Sequence, residues 1–93
     1  MIHLVTYDIE IDRVRDRIAR LLSRYGQRVQ ESVFECAMDE RELETLIGAL
    51  RENLADDPEA DVRLYRICAT CFAAARGIGA VRRSDLSTRC IIV

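Results

Sequence analysis

Apolar side chains dominate from Ile2 to Tyr7, and the first charge after them is Asp8. Such a run predicts a β-strand buried on both faces, because a half-buried strand would alternate. Asp8 then stands at the carboxyl end of that strand, at the rim of a sheet, where solvent, metal and substrate can reach it. Beyond Asp12 the period changes. Val14, Ile18, Leu21, Leu22 and Tyr25 recur at helical spacing. A helix is predicted from an Asp12 cap to Tyr25, with Gly26 as its stop. From Gln27 to Met38 the pattern is strand-like, but Val29, Val33 and Phe34 lose strict alternation near Glu31 and Ser32. Two short strands with a tight reversal, or one bulged strand, both fit that change of phase.

Asp39 followed three residues later by Glu42 is a capping-box pattern. It predicts a second helix to Leu54, with Leu43, Leu46, Ile47, Leu50 and Leu54 inward and an acidic outer face. Residues 55–59 form a loop, and Asp61 to Cys68 reads as the next strand. Residues 69–83 suit a helical turn and then a loop. Arg89-Cys90-Ile91-Ile92-Val93 reads as a last apolar strand. The order β-α-β-β-α-β, plus one strand, is α+β and ferredoxin-like: two helices on one face of an antiparallel sheet. The surplus strand is a bare edge that invites pairing with another chain. Exchange about a two-fold axis would bury it, so a homodimer is expected.

At 93 residues the chain is expected to be one domain, 1–93, with a thin core that favours oligomerisation. No apolar run approaches the ~20 residues of a membrane span, and no signal peptide is visible, so a soluble, cytoplasmic protein with no membrane partner is expected. The net charge of −2 conceals its distribution. Every basic side chain other than His3 is Arg. Residues 13–28 hold six Arg against Asp16, residues 31–61 hold eleven acids against Arg41 and Arg51, and residues 63–93 hold six Arg against Asp85. Two basic segments flanking an acidic one suggest a polyanionic partner, and Arg suits bidentate phosphate contacts. On the first helix Arg13, Arg17, Arg20 and Arg24 fall within about 60° of arc. They form a ridge whose like charges repel and have no acid beside them. A solvated face and a phosphate-facing surface both fit it.

Other candidates weigh less. The cysteines are Cys36, Cys68, Cys71 and Cys90, and Cys68-Ala-Thr-Cys71 is a CxxC pair. Buried, reduced thiols are the base expectation. Zinc would need all four to converge without a second CxxC, and a redox CxxC normally follows an early strand. His3 reads as a core histidine. Ser32 reads as a backbone partner at the strand reversal. For Asp8 the residues alone favour a role in tying the loop before the helix.

Taken together, Tyr7-Asp8-Ile9, the Arg-rich first helix, the segment Tyr25-Gly26-Gln27-Arg28-Val29-Gln30-Glu31-Ser32-Val33-Phe34-Glu35-Cys36, Val62-Arg63-Leu64-Tyr65 with Cys68 and Cys71, and the terminal Ile-Ile-Val carry a resemblance. The chain resembles the small CRISPR-associated protein two family, the metal-dependent nuclease-like subunit of spacer acquisition. The all-Arg first helix departs from the Lys and Arg mixture common in that family, and Arg76 to Arg89 matches only loosely. The resemblance implies a ferredoxin-like homodimer whose last strand packs on the partner's sheet. It implies that Asp8 is the catalytic and metal-binding acid, holding Mg²⁺ at the subunit interface. It also implies nucleic-acid contact by Tyr7, Arg15, Arg17, Arg28 and Phe34.

Two functional classes follow. One is a Mg²⁺-dependent endonuclease cutting RNA or DNA. The other is a nucleic-acid-binding adaptor that holds a duplex DNA spacer precursor for the CRISPR integrase, CRISPR-associated protein one. The expectation is that the adaptor role is the biological one, accompanied by weak metal-dependent hydrolysis. A ferredoxin-like dimer that binds a small ligand or regulatory partner is the alternative, and no glycine-rich loop supports it.

Overall fold

The structure, a computed structural model, describes residues 1–79 and the backbone of residues 91 and 92. The long apolar run forms β1 (Ile2–Asp8). Its burial alternates: His3, Val5 and Tyr7 are buried, while Ile2, Leu4 and Thr6 are half-buried. The expected burial on both faces is therefore corrected. Two helices cover one face, and among the described residues no helix covers the other face of β1.

The first helix, α1, spans Asp12–Leu22, and its N-cap is Ile11, which makes no side-chain cap hydrogen bond. Asp12 is instead an acid in the first turn, where the positive end of the helix dipole favours it. Val14, Ile18, Leu21 and Leu22 are buried as the periodicity requires. The helix stops three residues before Tyr25 because Gly26 already belongs to β2 (Gly26–Gln30). Gly26 faces Cys36 across the ladder. A Cβ there would lie 2.0 Å from the Glu35 carbonyl oxygen. Glycine is thus needed for close strand approach, and not as a helix stop.

Residues 27–38 form two short strands with a tight reversal, which corrects the alternative of one bulged strand. The chain reverses at Glu31 and Ser32 into β3 (Val33–Ala37). The register also shifts between Arg28 and Gln30, leaving Val29 as the bulged residue. The second helix, α2 (Glu40–Asn53), carries the full capping box. Glu42 N–H donates to Asp39 Oδ1 at 2.8 Å, and Asp39 N–H donates to Glu42 Oε1 at 3.1 Å. Strand β4 (Asp61–Ile67) follows, then one short helix, α3 (Ala69–Ala73).

The sheet order is β2-β3-β1-β4, and every neighbouring pair is antiparallel. This is the ferredoxin-like arrangement expected from the element order. Val5, Tyr7, Phe34 and Cys36 meet Val14, Ile18, Leu22, Leu46 and Leu50 in one core cluster. Outside this sheet, β5 (Arg76–Gly77) pairs in parallel with β6 (Ile91–Ile92). The terminal strand thus meets its own chain at this short bridge. Residues 80–90, including Cys90, and Val93 lie outside the described residues, as does most of the segment from Arg76 to Arg89. Among the described residues no helix is long and apolar enough to cross a membrane.

Candidate metal and nucleic-acid site

Asp8 is the exposed last residue of β1. The antiparallel register sets it directly opposite Asp61 of β4. Two carboxylates so placed repel one another. Arg63 relieves the pair on one side: its Nε and Nη2 each reach Asp61 at 3.1 Å, and this fork holds the Asp61 carboxyl below the usual carboxylate range. Asp8 has no such cation among the ion pairs of the described residues. It lines an open cleft of ≈ 280 Å³ with Glu10, Ile11, Asp56, Asp57, Pro58 and Glu59. Apart from Ile11 and Pro58 the lining is acidic, so a cation is the natural counterpart of this end of the sheet.

The donors match a hard divalent ion in kind, being carboxylate oxygens without sulfur or imidazole. They fall short in number. Among the described residues no three His, Cys, Asp or Glu side chains converge closely enough to hold a metal. The described residues of one subunit therefore form no closed metal cage at this rim.

The six residues expected at the site separate into three groups. Asp8 stands alone at the acidic rim. Tyr7 and Phe34 are core residues, 5 % and 1 % exposed. Their rings lie 6.3 Å apart, and burial leaves neither a free face for a base. In the sequence, the apolar run masks the strand alternation that sends Tyr7 inward. These rings instead organise Arg28. Its guanidinium carbon lies 5.4 Å from the Phe34 ring centroid. Its Nη2 donates to the Tyr7 hydroxyl at 3.4 Å, and that hydroxyl donates to the Glu31 carbonyl at 3.1 Å. The guanidinium is held over an aromatic face while the residue stays exposed.

Arg15 and Arg17 are engaged with the chain itself. Arg15 Nη1 donates to the Ile9 carbonyl at 3.1 Å, and its Nη2 pairs with Asp12. It fastens the loop directly after Asp8. Arg17 Nη2 donates to the Asn53 carbonyl at 2.8 Å and lies 3.6 Å from Asp56. That joins α1 to the end of α2. By contrast Arg13, Arg20 and Arg24 are exposed and enter none of the ion pairs among the described residues. Arg20 and Arg28 share a cleft of ≈ 400 Å³ with Asp16, Ala19 and Ser23. Arg13, Arg20 and Arg24 belong to the helical ridge read in the sequence, yet the family resemblance assigns none of them a role. Their signal is the absence of an acid at ridge positions. His3 is a core residue, as expected. Burial, aided by nearby Arg66, pushes its imidazole below its ordinary range. It sits five residues along β1 from Asp8, about 17 Å at ~3.3 Å per residue, too far to serve that carboxylate.

A four-stranded antiparallel sheet under two helices, with an exposed acid at one strand end and arginines on the first helix that enter no ion pair among the described residues, defines a ferredoxin-like protein. The family model described as CRISPR associated protein Cas2 matches residues 1–75, and the chain belongs to that family. It is 44 % identical over 71 residues to a protein of Chloroflexus aurantiacus named CRISPR-associated endoribonuclease Cas2 1, covering 76 % of each chain. Among solved structures, Streptococcus pyogenes Cas2 superposes with a TM-score of 0.67 at 33 % identity, covering 73 % of this chain and 87 % of that one. A chain of a partial Cas6-RT-Cas1–Cas2 complex gives 0.69 at 29 % identity, covering 77 % and 79 %.

Proposed function

We propose that the protein acts in CRISPR spacer acquisition as a homodimeric adaptor that grips the backbone of a short duplex for the Cas1 integrase. The observation that carries this is that Arg13 and Arg20 of α1 enter no ion pair among the described residues, and that Arg20 shares a cleft with Arg28 of β2, which Tyr7 and Phe34 brace. Contacts of this kind go to phosphates, so they hold nucleic acid without reading sequence. Family membership and the similarity to a chain in a Cas1–Cas2 assembly support the partner.

The open face of the sheet supports the dimer. On it the register groups Ile2 with Ala37 and Ile67, Leu4 with Glu35 and Tyr65, and Thr6 with Val33 and Arg63. Tyr65 is 49 % exposed there. A half-apolar face without α1 or α2 is suited to a second copy, which would bring a second Asp8 toward the first. The two carboxylates would supply oxygen ligands of the kind that suits Mg²⁺. When bound, the ion supplies charge stabilisation at the phosphate and an activated water. Asp8 would hold it, and Arg15 fixes the Asp8 loop through the Ile9 carbonyl.

The test is reconstitution with the neighbouring integrase and a short duplex, using the wild type and Asp8→Ala. The expected result is a stoichiometric complex and integration with both proteins, while Mg²⁺-dependent hydrolysis disappears in the variant. Intact assembly with lost integration in Asp8→Ala would show that the acid, and not the adaptor surface, does the biological work. A wild-type protein that stays monomeric and leaves the duplex unbound would end the proposal.

A further inference from the structure

The cysteines do not share one environment, and only one of those described fits the expectation of buried, inert thiols. Cys36 is fully buried in the core, where burial pushes its thiol up to about 11. Cys68 and Cys71 are exposed, which corrects that expectation for the CxxC pair. They lie where β4 ends and α3 begins, with Cys68 as the residue before the helix. Cys68 Sγ accepts the Cys71 backbone N–H at 3.2 Å. The two exposed cysteines thus stand three positions apart across the first turn of α3.

These contacts make the thiols unequal. The neighbouring Cys71 side chain and backbone N–H lower the Cys68 pKa and favour its thiolate, while the Cys68 sulfur raises that of Cys71. An exposed thiolate-prone sulfur beside a protonated one is the arrangement of an attacking and a resolving cysteine. Next to it opens a cleft of ≈ 540 Å³ lined by Met1, Ile2, Arg66, Ile67, Cys68 and Ala69. It gives a small molecule access to the sulfur, with the Arg66 cation suited to an anionic one.

We propose that Cys68 and Cys71 form a redox-active dithiol that exchanges with anionic low-molecular-weight disulfides and closes a reversible bridge between the end of β4 and α3. The Cys68 thiolate attacks one sulfur of the disulfide, forming a mixed disulfide and expelling one small thiolate. Cys71 loses its proton to that thiolate or to solvent, attacks Cys68 Sγ and expels the second. Two electrons pass from the protein dithiol to the small disulfide, which leaves as two thiols. Disulfides inside cells are mostly of this transient, sensing kind.

The test is titration of the full chain with mixtures of oxidised and reduced glutathione, followed by acid quench, alkylation and intact-mass and peptide analysis. The wild type is expected to lose the mass of two hydrogens, with Cys68 joined to Cys71 and Cys36 still alkylated after unfolding. Cys71→Ser should stop at the mixed disulfide, gaining one glutathione unit at Cys68. Cys68→Ser should be modified about tenfold more slowly, since the better attacking sulfur is gone. Serine retains an N-cap acceptor at position 68, so folding is preserved. If that variant fails to fold, the linkage found in the wild type decides. Accumulation of a wild-type mixed disulfide, linkage to Cys36 or Cys90, or equal rates in the two variants would overturn the proposal.

Discussion

Arg17 and Arg20 stand one turn apart on the same helix, yet they do different work. Arg17 turns its guanidinium onto the Asn53 carbonyl at 2.8 Å and sits near Asp56. Its Nε is buried without a partner. Arg20 points into an open cleft with Arg28. The contrast extends to Arg15, which fastens the Ile9 carbonyl, against Arg13 and Arg24, which are exposed. An arginine row at helical spacing is therefore two populations. One set holds the two helices and the Asp8 loop together. The other enters no ion pair among the described residues. What separates them is whether the next element presents a carbonyl or carboxylate at the right height.

The largest expected effect comes from reversing the second set. Arg20→Glu with Arg28→Glu should weaken duplex binding by about a hundredfold or more at low salt. The slope of log affinity against log salt should fall by about 0.9 for each phosphate that is no longer neutralised. The melting temperature should fall less than in Arg17→Ala, because Arg20 enters no ion pair among the described residues and Arg28 gives up a cation–π contact of about 0.5–1 kcal/mol and one long hydrogen bond. A large loss of stability with unchanged binding would reverse the assignment. Arg17→Ala should do the opposite. Losing one charged hydrogen bond costs about 1.5–3 kcal/mol. For a domain of this size each kcal/mol lowers the melting temperature by about 4–8 °C. The salt slope of duplex binding should stay at its wild-type value. Calorimetry and a salt titration on the same two variants check both statements.

This division is only partly legible in the chain. The element order, the α1 stripe and the α2 cap can be read because each is a local pattern: a period, or Asp39 with Glu42. The sheet order follows from that sequence of elements. What cannot be read depends on distant partners. Arg17 meets Asn53, 36 positions away, and nothing in its own segment announces that pairing. Tyr7 and Phe34 are expected at the nucleic acid because a resemblance transfers residue types and not side-chain directions. Gly26 looks like a helix stop, but its cause is the Glu35 carbonyl across the ladder. Asp8 is legible as a rim residue, since the end of a strand is itself a local signal.

The smallest effect tests whether the same distinction holds for a carboxylate. Glu35 lies on the open sheet face between Leu4 and Gln27, with Oε1 buried and unpartnered. Like the buried Nε of Arg17, it is a polar atom that folding removes from water without replacing the lost hydrogen bond. Burial raises its pKa above the ordinary value of 4.5. Below 4.5 both folded and unfolded chains carry the proton, and the group costs nothing through ionisation. As pH rises through the folded pKa, the unfolded chain has already released its proton, and stability falls. Glu35→Gln removes this dependence. Its urea midpoint should match the wild type in acid and exceed it at neutral pH, by less than Arg17→Ala loses. A lower midpoint at neutral pH would mean that Glu35 has a partner when the protein assembles. The unpaired carboxylate would then belong with Arg17, as a side chain that holds the structure together.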